Sequence, residues 1–247
     1  MSRVLLLDLD HTLYPSTLPT AYAVDARITD YIGRHLGLSP EKADALRQEL
    51  CARYGTTLKG LETLHGVNRE NYCDFIQDVE DSLMPTPDPR LRAWLSALKG
   101  RIPTYVFTNA RRDWADRCLA CLGLSDLVAH ASEDSETLEG FEAPAVEETP
   151  AVRGALLGIL DIGFLEWRGK PEAEAFSRTE GFVRGRHAEA RILFADDRLD
   201  NLEEARRHGW STIWIRPHDA DAGLSAGHRW ADSLPELDIE TLFEDAR

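Results

Sequence analysis

Asp8 and Asp10 stand one residue apart at the end of the run Val4-Leu5-Leu6-Leu7-Asp8-Leu9-Asp10-His11-Thr12-Leu13. An apolar run this short reads as a buried strand, and the carboxyl ends of such strands are where an open α/β sheet binds ligands. Side chains alternate along a strand, but a turn after Leu9 lets both acids reach one cleft. One carboxylate can then attack as a nucleophile and ligate a metal, while the other trades a proton with a leaving group. Acids also cap strand ends without doing chemistry, so the pair gains meaning only from the residues that follow.

Three more constellations follow it. Thr108-Asn109-Ala110 come directly after the apolar Tyr105-Val106-Phe107. Their hydroxyl, amide and exposed backbone N–H groups can hold phosphate oxygens, although Thr-Asn is also ordinary turn chemistry. Gly169-Lys170-Pro171 precedes a helical segment that begins near Glu172, and proline biases Lys170 toward an extended backbone that aims its ammonium. A lysine alone is usually a solvated charge, but beside two metal-binding acids and a phosphate a cation is needed. Phe194-Ala195-Asp196-Asp197 then places a second acid pair at an apolar strand end, with Asn201 beyond it. Such acids are costly unless neutralised, and Mg²⁺, which prefers oxygen ligands, is the natural partner. Helix capping by Asp197 or Asp200 is the plainer alternative.

The elements that must position these residues alternate. Strands are expected at Arg3 to Leu7, Ile102 to Phe107, Gly158 to Ile162, Ala190 to Phe194 and Ser211 to Ile215, with helices at Arg112 to Leu122 and Leu202 to His208. Strands separated by helices predict a parallel sheet covered on both faces. From Tyr14 to Met84 the chain reads as helical throughout. Ser39-Pro40 and Asn68 stand as helix starts, and Met84-Pro85-Thr86-Pro87-Asp88-Pro89 as a return hinge whose Asp88 caps the next helix. The acidic stretch from His130 to Leu157 predicts a solvated loop.

Of the 247 residues, 43% are hydrophobic, enough for a packed core. A formal net charge of -15 argues against nucleic acid and anionic membrane surfaces as partners. The longest mostly apolar run, Ala155 to Leu165, is too short to span a bilayer and contains Asp161. Asp8 and Asp10 interrupt the place where a signal peptide would have its apolar centre, so a cytoplasmic protein is expected. Cys118 and Cys121 form a lone C-x-x-C inside a helical pattern without a second ligand pair, which reads as two small packing residues.

Taken in order, Asp8-x-Asp10-x-Thr12, Thr108-Asn109, Lys170-Pro171 and Asp196-Asp197 with Asn201 resemble the four motifs of the haloacid dehalogenase (HAD) superfamily over nearly the whole chain. The resemblance implies an α/β fold: a Rossmann-like parallel sheet, the HAD core, with a helical C1 cap inserted after the first strand. The core would be residues 1–13 and 87–247, the cap 14–86, and 130–157 an acidic insertion within the core. It further implies a phosphomonoester hydrolase in which Asp8 forms an aspartyl-phosphate and Asp10 is first acid, then base. Mg²⁺ would be held by Asp8, the Asp10 carbonyl and Asp197, with Asp196 adjacent. Thr108 and Asn109 would orient the phosphate, and Lys170 would offset negative charge. The superfamily's dehalogenases lack the second Asp, because halide leaves without a proton.

A narrower likeness concerns substrate. Asp8-Leu9-Asp10-His11-Thr12-Leu13-Tyr14-Pro15 and the cap segment Tyr54-Gly55-Thr56-Thr57-Leu58-Lys59-Gly60-Leu61, with His65 and Val67-Asn68, are similar to the pyrimidine 5′-nucleotidase subfamily. That likeness implies a small phosphorylated metabolite, UMP or CMP, with Lys59 and His65 as candidate cap contacts. Trp114, where a His is expected, and the long acidic insertion before Gly158 depart from the pattern. Two other readings stay open: a phosphatase or phosphomutase of the same fold acting on a sugar phosphate, and a catalytically silent phosphate-binding module. Oligomeric state has no signature in the sequence.

Overall fold

Alternate residues of the short apolar strands feed two separate cores. Leu5, Leu7, Val106, Leu193 and Ile213 pack on one face of a sheet, and Val4, Leu6, Tyr105, Phe107, Ile192 and Phe194 on the other. Burial on both sides is what a parallel sheet demands, and it explains why these strands are apolar throughout. The computed structural model describes residues 2–129, 154–218, 220–221, 223 and 225–243. Among them are six parallel strands: β1 (Arg3–Leu7), β2 (Thr104–Phe107), β3 (Ile159–Leu160), β4 (Arg191–Asp196), β5 (Ser211–Ile215) and β6 (Arg229–Ala231). Their spatial order is β3-β2-β1-β4-β5-β6. The chain runs outward from β1 in one direction and from β4 in the other, so the switch-point crevice opens at the carboxyl ends of these two neighbours.

Four helices, α1 (Pro19–Leu36), α2 (Pro40–Tyr54), α3 (Thr57–His65) and α4 (Arg69–Gln77), lie between β1 and β2 and share a core of Ile32, Leu50, Leu61, Val67 and Tyr72. The expected helix starts are present with one difference in chemistry. Asn68 accepts the Asn71 N–H at 2.9 Å, while Ser39 makes no side-chain cap bond and Pro40 alone begins α2. After the return segment come α5 (Pro89–Leu98), α6 (Arg112–Cys121), α7 (Ala173–Arg186) and α8 (Leu199–Arg207). Asp88 caps α5 by accepting the Arg90 N–H at 2.8 Å. The cap meets the core closely at Gly55: a Cβ there would lie 2.6 Å from Pro171 Cδ, and the backbone has φ of 80°. Both facts require glycine at this point.

Three expectations need amendment. Strand β6 was not foreseen, since Arg229-Trp230-Ala231 is too short to display alternation. Helix α8 begins three residues earlier than periodicity placed it, at Leu199. The solvated loop was drawn too far: Ala155 and Leu156 are buried, and the Leu156 N–H donates to the Leu127 carbonyl at 2.9 Å. Residues 130–153 of that stretch lie outside the described residues. Cys118 and Cys121 sit on α6 as free thiols, the former fully buried in the core. Among the described residues no helix is long and apolar enough to cross a membrane.

Phe107 is the hinge pin of the second core, with ring centroids 5.4 Å from both Phe176 and Phe194 and 6.4 Å from Trp210. Phe107→Ala should destabilise the protein by about 3–5 kcal/mol through lost burial and a cavity. Urea denaturation of the two proteins checks this as a lower midpoint at an unchanged slope.

Candidate active site

Lys170 is the buried centre of the crevice, with 2% of its surface exposed. Its Nζ donates to Asp8 Oδ1 at 2.7 Å, Asp196 Oδ2 at 2.8 Å and the Phe107 carbonyl at 2.8 Å, which uses all three of its hydrogens. The ammonium also lies 4.9 Å from the Phe107 ring centroid. Burial opposes the charge, but Asp196 and Asp8 outweigh it and hold the pKa above the ordinary lysine value. The lysine therefore stays cationic. Its backbone is pinned as well: the Asn109 side chain donates to the Lys170 carbonyl at 2.8 Å and accepts from the Lys170 N–H at 2.7 Å.

Asp8 continues the β1 ladder by one bond, its N–H donating to the Ala195 carbonyl at 2.9 Å, so its carboxylate is carried to the very end of the strand. Thr12 donates to Asp8 Oδ2 at a long 3.4 Å. Asp196, at the end of β4, accepts from Lys170, from the Arg198 N–H at 2.8 Å, and from Asn201 Nδ2 at 2.9 and 3.0 Å. Asn201 thus serves Asp196. Asp197 instead faces His11, whose Nδ1 lies 3.5 Å from its Oδ2.

Asp8, Asp196 and Asp197 offer carboxylate oxygens that all lie within 4.8 Å of one another. Burial raises the pKa of each, Asp196 to about 6, and Lys170 offsets that effect only in part. At His11 burial acts downward, but Asp197, Asp10 and Asp8 prevail and lift its pKa to about 9. Burial is the larger cause at the three acids, and their mutual proximity adds to it; at His11 the nearby carboxylates supply the whole upward shift. The donor set is oxygen throughout and anionic, which fits a hard divalent cation. Because Asp196 already accepts several hydrogen bonds, Asp8 and Asp197 are the freer ligands.

Asp10 occupies a separate niche. Its Oδ1 accepts from the Tyr14 hydroxyl and from the Trp114 indole N–H, the latter at 3.0 Å. Burial first, then the neighbouring Asp10, holds the Tyr14 pKa well above the ordinary phenol value, so Tyr14 remains a donor. Thr108 is buried and its Oγ1 accepts the Ala110 N–H at 3.0 Å, shaping the turn after β2. In the cap, Lys59 pairs with Glu172 at 3.3 Å, two residues from Lys170, whereas His65 is exposed at the end of α3.

No protein-family model matches the chain. Phosphate metabolism protein 8 of Saccharomyces cerevisiae is 28% identical over 220 residues, 85% of this chain, and the chain spans 60% of that relative's length. Among solved structures, β-phosphoglucomutase from Clostridium difficile superposes with a TM-score of 0.60 at 15% identity, covering 100% of this chain and 97% of its own. The chain thus has a fold similar to that of HAD-like hydrolases of known structure. A magnesium-bound HAD-hydrolase, YfnB from Bacillus subtilis, is similar with a TM-score of 0.54 at 16% identity, covering 95% of this chain and 96% of its own.

Within this HAD fold, sequence reading passed over His11 and Tyr14 as site residues. Both stand inside the first motif stretch, and Tyr14 lies four residues after Asp10, so proximity to the acids was the available signal. Trp114 was visible only as a departure from a pattern.

The raised carboxyls have a measurable pH dependence. A carboxyl whose folded pKa is raised contributes stability at low pH that is lost as pH rises from the ordinary value of 3.8 through the folded value, about 6 for Asp196. A divalent cation on these oxygens should restore it, but not where protons compete. Mg²⁺ at a hundred times its Kd should stabilise by about 2.7 kcal/mol at roughly pH 7.5 and far less at roughly pH 5. Thermal melts with and without Mg²⁺ at both pH values check this; equal shifts would speak against these ligands.

Proposed function

We propose that this chain is a Mg²⁺-dependent phosphomonoester hydrolase acting through an aspartyl-phosphate, with pyrimidine nucleoside monophosphates as its preferred substrates. The observation that carries the reading is the segregation of the two first-motif acids. Asp8 is tied to Lys170 and faces the other acids, while Asp10 is held apart by two neutral donors. Two carboxyl groups in different environments are what a nucleophile and a proton carrier require. A silent phosphate-binding module needs no second acid.

An Asp8 oxygen attacks phosphorus as the bond to the ester oxygen breaks, and Asp10 gives its proton to the leaving alkoxide. Asp10, now ionised, takes a proton from water as the water oxygen attacks the aspartyl-phosphate. Inorganic phosphate leaves and both acids return to their starting forms. Lys170 stays protonated throughout and offsets charge on Asp8 and the transferring group. Asp8, the Asp10 carbonyl and Asp197 would hold Mg²⁺, with Asp196 alongside; the ion supplies charge neutralisation that lets an anionic ester approach anionic side chains. Thr108 and the backbone around Asn109 would face the phosphate, since the Asn109 amide is already committed to Lys170.

Hydrolysis of p-nitrophenyl phosphate should need Mg²⁺, cease in EDTA, and vanish in Asp8→Asn. Asp10→Asn should lower turnover of alkyl esters by roughly a hundredfold or more. Near-normal turnover by Asp8→Asn would remove the covalent route.

Substrate preference rests on the cap, whose Lys59 stands over the loop that carries Lys170. A pocket that hydrogen-bonds the edge of a one-ring base discriminates strongly against esters that leave those groups unpaired. The expected order of kcat/KM under one Mg²⁺ condition is UMP and CMP above AMP and a panel of sugar phosphates. The structural similarity to a β-phosphoglucomutase favours the alternative of a sugar phosphate. A sugar phosphate preferred over both pyrimidine nucleotides would establish that alternative.

A further inference from the structure

Asp10 is the one acid of the crevice whose carboxylate is held by neutral donors from two different elements. Tyr14 reaches it from the turn after β1, four residues along the chain, and Trp114 from α6, across 104 residues. Both donate to the same atom, Oδ1. Neither hydrogen bond nor ion pair engages Oδ2 among the described residues. Trp114 and Tyr14 are themselves almost fully buried, 4% and 3% exposed, and belong to one core cluster with Leu13, Ala115 and Cys118. The wall behind Asp10 is therefore rigid and apolar, with two polar atoms aimed out of it.

We propose that Trp114 and Tyr14 are positioning residues that occupy Asp10 Oδ1 and so leave Oδ2 as the atom that passes the proton to and from the substrate. The inference rests on the phosphoryl-transfer reading above. The terminal torsion of an aspartate is broad and roughly two-fold, so an unrestrained carboxyl presents either oxygen at a range of angles. Two donors converging on one oxygen remove that freedom. Indole N–H is a donor only and cannot accept a proton, so Trp114 cannot divert the proton carried by Asp10. Proton transfer demands alignment within hydrogen-bond reach, and small misplacement is expensive in rate.

A merely structural role for the two rings would change stability and affect all substrates alike. A positioning role changes the leaving-group dependence of the first half-reaction. In that half-reaction Asp8 gains the phosphoryl group, the P–O ester bond breaks, and Asp10 Oδ2 supplies the proton. An alkoxide needs that proton; p-nitrophenolate leaves readily without it. The measurement is kcat/KM, which reports steps through leaving-group departure, for the best alkyl phosphomonoester of the panel and for p-nitrophenyl phosphate. The proteins compared are wild type, Trp114→Phe, Tyr14→Phe and the double variant, each checked by thermal melt.

The ratio of alkyl to p-nitrophenyl kcat/KM should fall by about tenfold in each single variant and by about a hundredfold in the double, within the usual contribution of proton transfer. An unchanged ratio in the double variant overturns the proposal, whatever the absolute rates. Should Trp114→Phe fail to fold, the ratio for Tyr14→Phe decides alone. A wild-type protein that turns over neither ester would instead refute the phosphatase reading, so the two failures are distinguishable.

Discussion

The ammonium of Lys170, buried between Asp8 and Asp196, is the interaction on which the rest of this site depends. Two carboxylates at the ends of neighbouring strands would repel in a dry crevice, and burial already pushes both toward the neutral form. One cation at 2.7 and 2.8 Å lets them coexist. Removing one member of such a buried cluster leaves uncompensated charge and typically costs about 3–5 kcal/mol. The lysine arrives from a loop, so the fold must hold that loop firmly. Asn109 does so through two hydrogen bonds to the Lys170 backbone, and Gly169 lets it approach: a Cβ there would lie 2.9 Å from Asn109 Oδ1.

The same loop seats the cap. Gly55 lies against Pro171, Lys59 pairs with Glu172, and Cys51 accepts from Arg198 Nη1 at 3.3 Å beside the second acid pair. Cap position and charge balance are thus joined through residues one or two places from Lys170 and Asp197. The end of α4 is tied from the other side by α6 and the residue that precedes it. Arg117 donates to the Gln77 and Val79 carbonyls at 3.0 and 2.5 Å, and Arg111 pairs with Asp74. Helix α6 therefore anchors the cap and, through Trp114, orients Asp10. One rigid element serves both, which couples the cap's anchorage to the geometry of proton transfer.

Much of this was legible in residue order. After the arginine that opens each of them, strands β1 and β4 carry no polar residue before their acids, and their burial on both faces follows directly. Asn68 and Asp88 announce helix starts because capping is a local bond between a side chain and a nearby N–H. Other partners were not legible. Asn201 stands four residues after Asp197 yet bonds Asp196, because the start of α8 turns its amide back toward the strand end. The Asn109 amide could have faced a phosphate; the loop packed beside it takes both of its polar atoms. Lys59 is a candidate cap contact for substrate in the sequence and an ion pair across the cap interface in the fold.

By itself the sequence determined which side chains lie at strand ends, because hydrophobic periodicity and local capping are properties of neighbouring residues. It also determined the charge types that had to be reconciled: four acids and one lysine in motif positions. Only the tertiary structure decided who reconciles with whom. Lys170 joins Asp8 across 162 residues, Trp114 meets Asp10 across 104, and Lys59 reaches Glu172 across 113. Hydrogen bonds and ion pairs are short-range and directional, so their partners are fixed by where the packed sheet and helices place each atom, which spacing along the chain does not encode.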